Sequence, residues 1–392
     1  MSSEDRVDFL IIGAGFSGLV AAERLSNAGF RCVVVDKRSH LGGNAHDRID
    51  GAGVLVHAYG PHYFRSNSRR VVDYLSRFTS WQDADYRIKS YTDGRYWSFP
   101  VNLNTFEELT GHAATTAEFE AWLAEHREAV EEPRNSEEII VSQVGWELYR
   151  KFYEGYTQKQ WNRHPRELDK SVCGRIPIRT NRDDRYLSEE FQALPREGYT
   201  RMFERMLDAS PGVELQLGVD FKEARQRWRH RHLIFTGPVD EYFGHRFGAL
   251  PYRSLRFENE SFTAAELKAR APIAGKAGFW QPVVQVNYPD AEVPMTRIVE
   301  IKHVTGQAID ATTIVREYPA GWTPGAEPFY PVPAPDAKEL YLRYAALAAA
   351  EANVSFIGRL ATYRYYNMDQ VTGMALAEAG RLISRYSSST HD

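Results

Sequence analysis

Between Val7 and Arg38 the spacing of apolar residues changes three times. Asp8–Ile12 is a short Ile-rich run of the kind a strand buried on both faces requires. Residues 19–28 place apolar side chains at helical spacing, and Cys32–Val35 is a second apolar run ending on Asp36. Strand, glycine turn, helix and strand in that order predict a parallel βαβ unit. Further on, Val54–Val56 reads as a strand, Arg69–Phe78 as an amphipathic helix, and 86–100 as a hairpin turning at Asp93-Gly94. Helical spacing then dominates from 105 to 165 and returns at 198–207. Short strands follow at 213–217, 232–235, 251–258, 282–288, 295–303 and 312–317, the last four with few helices between them, which predicts a largely antiparallel sheet. The Pro-rich stretch 322–339 reads as a connector. The end of the chain resembles its beginning: a helix at 340–352, a strand at 354–357, a glycine turn, and a helix from Met368 for which Asn367 is a good N-cap.

The chemistry suggested by this pattern is concentrated in the first turn. Gly13, Gly15 and Gly18 stand at G-x-G-x-x-G spacing. Gly13 allows the tight turn, Gly15 a close approach of pyrophosphate, and Gly18 close packing of helix on strand. Phe16 and Ser17 open the helix, whose free N–H groups and positive end suit a phosphate. Asp36 is placed to accept from a ribose, with Lys37 beside it. The glycine spacing alone is weak, but the full strand–turn–helix–strand–acid order favours a dinucleotide site. Gly43 and Asn44, just after the second strand, suggest a second contact. The loop 57–66 crowds His57, His62 and Arg65 around a Gly-Pro turn and reads as a site-lining loop. Arg175, Arg179, Arg182 and Arg185 cluster with Asp183 and Asp184, as either a surface ion-pair network or a diphosphate clamp. Spacing does not choose between these two.

Composition narrows the class. A chain of 392 residues with 43% hydrophobic and 26% charged positions is an ordinary globular sequence of two or three packed units. A net charge of −4 gives no support for nucleic-acid or membrane partners. No apolar run reaches membrane-spanning length, and MSSEDR does not read as a signal sequence. Two cysteines support neither a disulfide framework nor a zinc site, so no metal and a cytoplasmic setting are expected.

Taken in order, GAGFSGLVAAERL, DKRSHLGGNA, HAYGPHYF, GYTQKQW, RIPIRTNRDDRY, TGPVDEYFGHRFGALPYRSLRFE, TRIVEIKH, REYPAGW, EPFYPV and GRLATYRYYNMD resemble the bacterial-type UDP-galactopyranose mutase family over nearly the whole chain. The resemblance implies an α/β fold: a Rossmann-like FAD-binding domain (1–78, 198–246, 340–392), a helical lobe with a mobile loop (105–172) and an antiparallel sheet lobe (79–104, 173–197, 247–339). It implies FAD, active when reduced, a homodimer, and a nucleotide-sugar substrate. The implied reaction is a pyranose-to-furanose ring contraction without net redox change, through covalent attack of the reduced flavin on the sugar. By the same resemblance Arg175 and Arg297 hold the diphosphate, with Tyr186, Tyr330 and Tyr365 reaching it. Tyr156 stacks on the base and Trp161 covers the sugar. His62 and Arg65 stand beside the flavin, Asn367 on the substrate side, and Gly358, Arg359 and Met368 form the second FAD contact.

The chain departs from the usual family residues at Arg65, Asn162, Leu187, Met295 and Asn367, which leaves UDP-, GDP- and dTDP-hexoses open. Arg65 and Asn367 together are expected to make the flavin surroundings more positive. A flavin amine oxidase and a non-catalytic flavin- or nucleotide-binding relative are the alternatives.

Overall fold

Each residue of strand Arg6–Ile12 chooses a side, and the two sides make two cores. Phe9 and Ile11 point into the main core with Val34 and Ile234, while Val7, Leu10 and Ile12 meet Val33, Val35, Leu233 and Trp228 on the opposite face. Apolar residues on both faces account for the continuous hydrophobic run. In the computed structural model, which describes residues 6–270 and 278–388, this strand is the centre of a five-stranded parallel sheet. The order is Val213–Leu217, Cys32–Asp36, Arg6–Ile12, Arg229–Phe235, Val354–Phe356. Helices Phe16–Asn27 and Met368–Ser387 pack on each other over one face. Phe221 and Tyr242 cover the other.

The second sheet has seven strands: Tyr330–Pro331, Tyr252–Phe262, Thr312–Gly321, Arg297–Val299, Gln285–Asn287, Ile88–Thr92 and Arg95–Phe99. Its pairings are antiparallel except between Gln285–Asn287 and Ile88–Thr92, which run parallel. The sheet lobe is therefore mixed at the step where the 88–99 hairpin docks. The stretch expected as a strand over 295–303 ends at Val299. There the buried Glu300 carboxylate accepts from the N–H groups of Trp280 and Gln281 and from Thr312 Oγ1, and a short helix, Lys302–Thr305, follows. Strand Phe191–Pro195, within the segment assigned to the sheet lobe, pairs instead with Phe64–Ser66 and Trp81–Asp83 in a small separate sheet. The connector is shorter than its proline content suggests: Pro335 occupies the first turn of helix Pro335–Ala350, where a missing N–H costs nothing.

The helical lobe comprises Leu103–Thr110, Thr116–His126, Ser136–Tyr149 and Gly155–Trp161. A π-helical turn, Arg150–Glu154, joins the last two. Among the described residues no helix is long and apolar enough to cross a membrane. The leader reading at residues 1–5 and the end of the Ser-rich tail lie outside the described residues.

Candidate active site

The three glycines of the first turn are required for different reasons. Gly13 has φ 106°, and a Cβ there would lie 2.1 Å from Thr236 Oγ1. A Cβ on Gly18 would lie 1.9 Å from the Gly13 carbonyl oxygen, so helix and turn touch through backbone alone. Both positions are dictated by the protein's own packing. At Gly15 a Cβ would find its nearest atoms, Gly42 O and Gly43 Cα, at 3.7 Å, an ordinary contact. The space beside Gly15 is therefore left to whatever occupies the cleft it lines.

That cleft encloses about 1220 Å³ open to solvent, and it is walled by Gly13, Gly15, Phe16, Ser17, Asp36, Lys37, Gly43, Asn44, Gly358, Arg359 and Met368. These are the expected cofactor residues except Gly18, which is buried under the turn. Helix Phe16–Asn27 starts with no side-chain cap and no acid in its first turn, so its orphan N–H groups and positive end face the cleft. The buried Asp36 carboxylate accepts from Ala14 N at 2.8 Å and Arg38 N at 2.9 Å, which ties the glycine turn to the end of the second strand. Gly42 N donates to Ala14 O at 2.9 Å and draws the second glycine loop onto the first. Arg38 bridges Asn44 Oδ1 and Glu327 and lies over the Tyr59 ring. Glu327 comes from the stretch read as a connector; Val219–Phe221 and Thr236–Pro238 also line the cleft. Glu327 and Thr236–Pro238 fall within the quoted motifs EPFYPV and TGPVDEYFGHRFGALPYRSLRFE, though neither motif by itself assigns them to the cleft wall, and Val219–Phe221 falls in none. A crevice at strand ends, backbone donors, an acid and an open side at Gly15 together fit a dinucleotide with its pyrophosphate.

His62 and Asn367 also line the cleft. His62 Nδ1 lies 2.9 Å from Gly60 O, an acceptor, so Nδ1 carries the proton and Nε2 remains a lone-pair acceptor. Burial, then the neighbouring His57 ring and the Arg359 and Arg297 cations, pull its pKa down to about 3, so the imidazole is neutral at pH 7. Arg65 stands behind this wall. Its guanidinium pairs with Glu189 at 3.0 Å and donates to Asn367 Oδ1 at 3.1 Å. The expected excess of positive charge is thus compensated at Arg65.

A second group of residues gathers beside Arg359. Arg175 sits over the Tyr365 ring at 4.4 Å, and Arg359 lies 5.1 Å from the same ring and 5.5 Å from that of Tyr330. Tyr330 and Tyr365 stack at 5.3 Å, with Trp161 packed at 6.3 and 6.2 Å from them. Arg175 is exposed to solvent and has no carboxylate partner among the described residues. Arg297 is half-buried and bound to the fully buried Glu317 at 2.7 Å; Arg297 Nε and Glu317 Oε1 find no partner among the described residues. Burial opposes the Tyr365 phenolate, but the Arg175 and Arg359 charges outweigh it and bring the pKa down to about 8. Burial raises the Tyr156 and Tyr330 pKa values. Tyr186 packs edge-on against Tyr86.

The structure separates the arginines that lie clustered in the sequence. Arg179 and Arg185 pair with Asp183, and Arg182 pairs with Glu107, a surface network. Arg175 is not part of it. Of the partners of Arg297, Glu317 lies in the quoted motif REYPAGW and Gln285 in none, and nothing in the sequence pairs either with Arg297. The available signal is a Glu at an inward-facing position of strand Thr312–Gly321, whose neighbours on the same face, Thr313 and Val315, are buried. Trp161 ends its helix at Asn162, which has φ 52°. Asn tolerates that left-handed conformation, so it serves where glycine is usual. Lys159, on the same helix, donates to the carbonyls of Asp290, Val293 and Met295.

These features define a Rossmann-type fold whose cleft suits a dinucleotide, with a cluster of arginines and tyrosines beside that cleft. A family model for an NAD(P)-binding Rossmann-like domain matches residues 11–78, and the UDP-galactopyranose mutase model matches residues 151–365. The probable UDP-galactopyranose mutase of Klebsiella pneumoniae is 33% identical over 380 residues, covering 96% of this chain and 95% of that protein. The dTDP-fucopyranose mutase of Escherichia coli is 33% identical over 368 residues, 92% of this chain and 94% of that protein. A crystal structure of reduced UDP-galactopyranose mutase has the same fold, with TM-score 0.72 over 96% of each chain at 16% identity. The chain belongs to the UDP-galactopyranose mutase family, whose members are isomerases.

Proposed function

We propose that this protein is an FAD-dependent mutase that interconverts the pyranose and furanose forms of a nucleoside-diphosphate hexose. The observation that carries the reading is Arg175: a solvent-reached guanidinium with no carboxylate partner among the described residues, grouped with two tyrosines and with Arg359 of the dinucleotide cleft. An unpaired guanidinium suits a diphosphate, which gains charge when it leaves the sugar. Arg297 and the Tyr186, Tyr330 and Tyr365 hydroxyls complete the anion site. Tyr156 supplies a face for the base, and the buried Trp161 ring excludes water above the sugar. The glycine turns would hold FAD, which in reduced form would supply the nucleophile for the anomeric carbon. Neutral His62 offers an acceptor beside it without adding charge. The protein's own task is to orient the sugar and hold the departing diphosphate nearby. The two cysteines, both buried free thiols, support a reducing cytoplasmic setting, and we take the working form to be a homodimer.

Equal identity to a UDP-galactose and a dTDP-fucose enzyme ranks neither substrate. The test is to reconstitute the protein with FAD, reduce it, and incubate it with UDP-galactopyranose, dTDP-fucopyranose and GDP-hexoses, separating products by chromatography. Furanose formation from one of these, dependent on reduction, is expected. No isomer from any of them, together with amine-dependent oxygen consumption, would replace this reading with an amine oxidase.

A further inference from the structure

Asn367 is the N-cap of helix Met368–Ser387 and lies on the cofactor cleft beside His62, Gly358 and Met368. Its amide has two ends of opposite character, and which end faces the cleft is decided by what holds the other. Arg65 is a donor only, so the oxygen of Asn367 must face it, as the 3.1 Å contact from Nη2 to Oδ1 records. The helix end does not compete for that oxygen: Asn367 N donates to Gln370 Oε1 at 2.9 Å, and the Gln370 N–H donates to Asp369 Oδ1 at 2.8 Å. Arg65 is therefore the anchor of the Asn367 oxygen. The amide nitrogen, Nδ2, has no partner among the described residues and is turned away from Arg65. Arg65 itself is fixed from behind by Glu189 at 3.0 Å, and its strand, Phe64–Ser66, is held in register by Phe191–Pro195.

We propose that Arg65 is a positioning residue: by holding the Asn367 oxygen it aims the Asn367 amide N–H group into the cleft, where it donates to an acceptor at the carbonyl edge of the bound flavin ring. The proposal rests on the reading that the cleft holds FAD. A donor there binds the reduced, anionic ring more tightly than the oxidised one, because a hydrogen bond to a charged acceptor is the stronger kind. Arg65 contributes orientation and no net field, since Glu189 neutralises it. An acid at 367 would present an acceptor to the same edge and act in the opposite direction.

The experiment is a redox titration of FAD bound to the purified protein, against a reference dye, with oxidised-FAD binding measured separately by absorbance. Asn367→Ala is expected to lower the ratio of reduced-FAD to oxidised-FAD affinity about tenfold, the size of one charge-assisted hydrogen bond. Asn367→Asp, which keeps the helix cap, should lower it at least as much, and it carries the test if the alanine variant does not fold. The double variant R65M/E189M removes a neutral pair and leaves the net charge unchanged. It should lower the ratio like Asn367→Ala, and adding it to Asn367→Ala should change nothing further. An unchanged ratio in the 367 variants with FAD bound overturns the proposal. So does a further drop when R65M/E189M is added to Asn367→Ala, because Arg65 would then act by its own field. If the wild-type protein takes up no FAD, the cofactor reading itself falls, an outcome distinct from either.

Discussion

The cofactor cleft and the proposed anion site beside it share Arg359 yet are built from different material. The cleft is built around main chain: glycines at positive φ, helix N–H groups, and a turn secured by the Asp36 carboxylate, whose oxygens accept from Ala14 N and Arg38 N. The anion site is mostly side chain. Arg175 follows a short helix, Arg297 lies on a strand, Tyr330 on an edge strand and Tyr365 in a loop. A main-chain site is stabilised by the fold that forms it. A side-chain site of like charges must be held together by something else, and its two principal arginines are held in opposite ways. Arg297 is locked by Glu317, whereas Arg175 rests on an aromatic ring.

That contrast predicts the largest effect. Arg297→Ala leaves the Glu317 carboxylate buried without its cation, and breaking a buried pair from one side costs roughly 3–5 kcal/mol. Arg175→Ala breaks no ion pair, so its unfolding midpoint should stay close to wild type. Turnover should fall in both, in Arg175→Ala by a few-hundred-fold, as for losing one donor to a developing anion (about 3–4 kcal/mol). Denaturant titration of both variants, alongside turnover, checks the difference. Equal stability losses would erase the distinction between the arginines.

Within the cleft the glycines offer the next contrast. Gly18→Ala pushes a methyl into the Gly13 carbonyl, and overpacking against backbone should cost about 3 kcal/mol. Gly15→Ala meets only ordinary contacts and should change apoprotein stability by less than about 1 kcal/mol, while weakening FAD binding, because its methyl occupies the ligand's side. Melting curves without FAD, followed by FAD titration, separate the two. A Gly15→Ala protein that binds FAD normally would move the pyrophosphate elsewhere.

The same contrast governs what the amino-acid order reveals. The glycine turn is legible because one short segment supplies strand, turn, helix and acid, and each glycine answers a local steric demand. Gly18 illustrates the limit: its place in the motif is plain, but it serves packing and does not line the cleft. Glu327 and Thr236 enter the cleft from segments far away in sequence, and their roles exist only after folding. The arginine cluster at 175–185 is ambiguous for a related reason. Spacing does not encode that Arg182 reaches Glu107 on helix Leu103–Thr110 while Arg175 turns to the Tyr365 ring. Family resemblance brings Arg175, Arg297 and Tyr365 together without showing that Glu317 pairs with Arg297, which distinguishes the two arginines. Arg65 looks like a free charge in the sequence because Glu189 is 124 positions away.

The smallest expected effect tests whether Arg175 and Arg359 are free to receive an anion. With its pKa near 8 instead of 10, Tyr365 ionises within the working range of many buffers, and its phenolate then faces Arg359 and Arg175, the guanidinium proposed to receive the diphosphate. The linkage has a definite sign. Between about pH 8 and pH 10 the folded protein has released a proton that the unfolded chain still holds, so stability without ligand rises with pH across this window. It is fully present above 10 and is lost as pH falls through 8. Anion binding runs the other way: the phenolate must take up a proton, or compete, before a diphosphate binds. Affinity for UDP or dTDP should therefore be nearly flat below pH 7 and fall about tenfold per pH unit well above 8. Tyr365→Phe should remove both trends together, because both come from one hydroxyl. Calorimetric titration of the nucleotide from pH 6.5 to 9.5, in buffers of different ionisation enthalpy, measures affinity and proton uptake at once. Retention of the pH dependence in Tyr365→Phe would assign it to another group, and Arg175 would then be as unencumbered above pH 8 as below it.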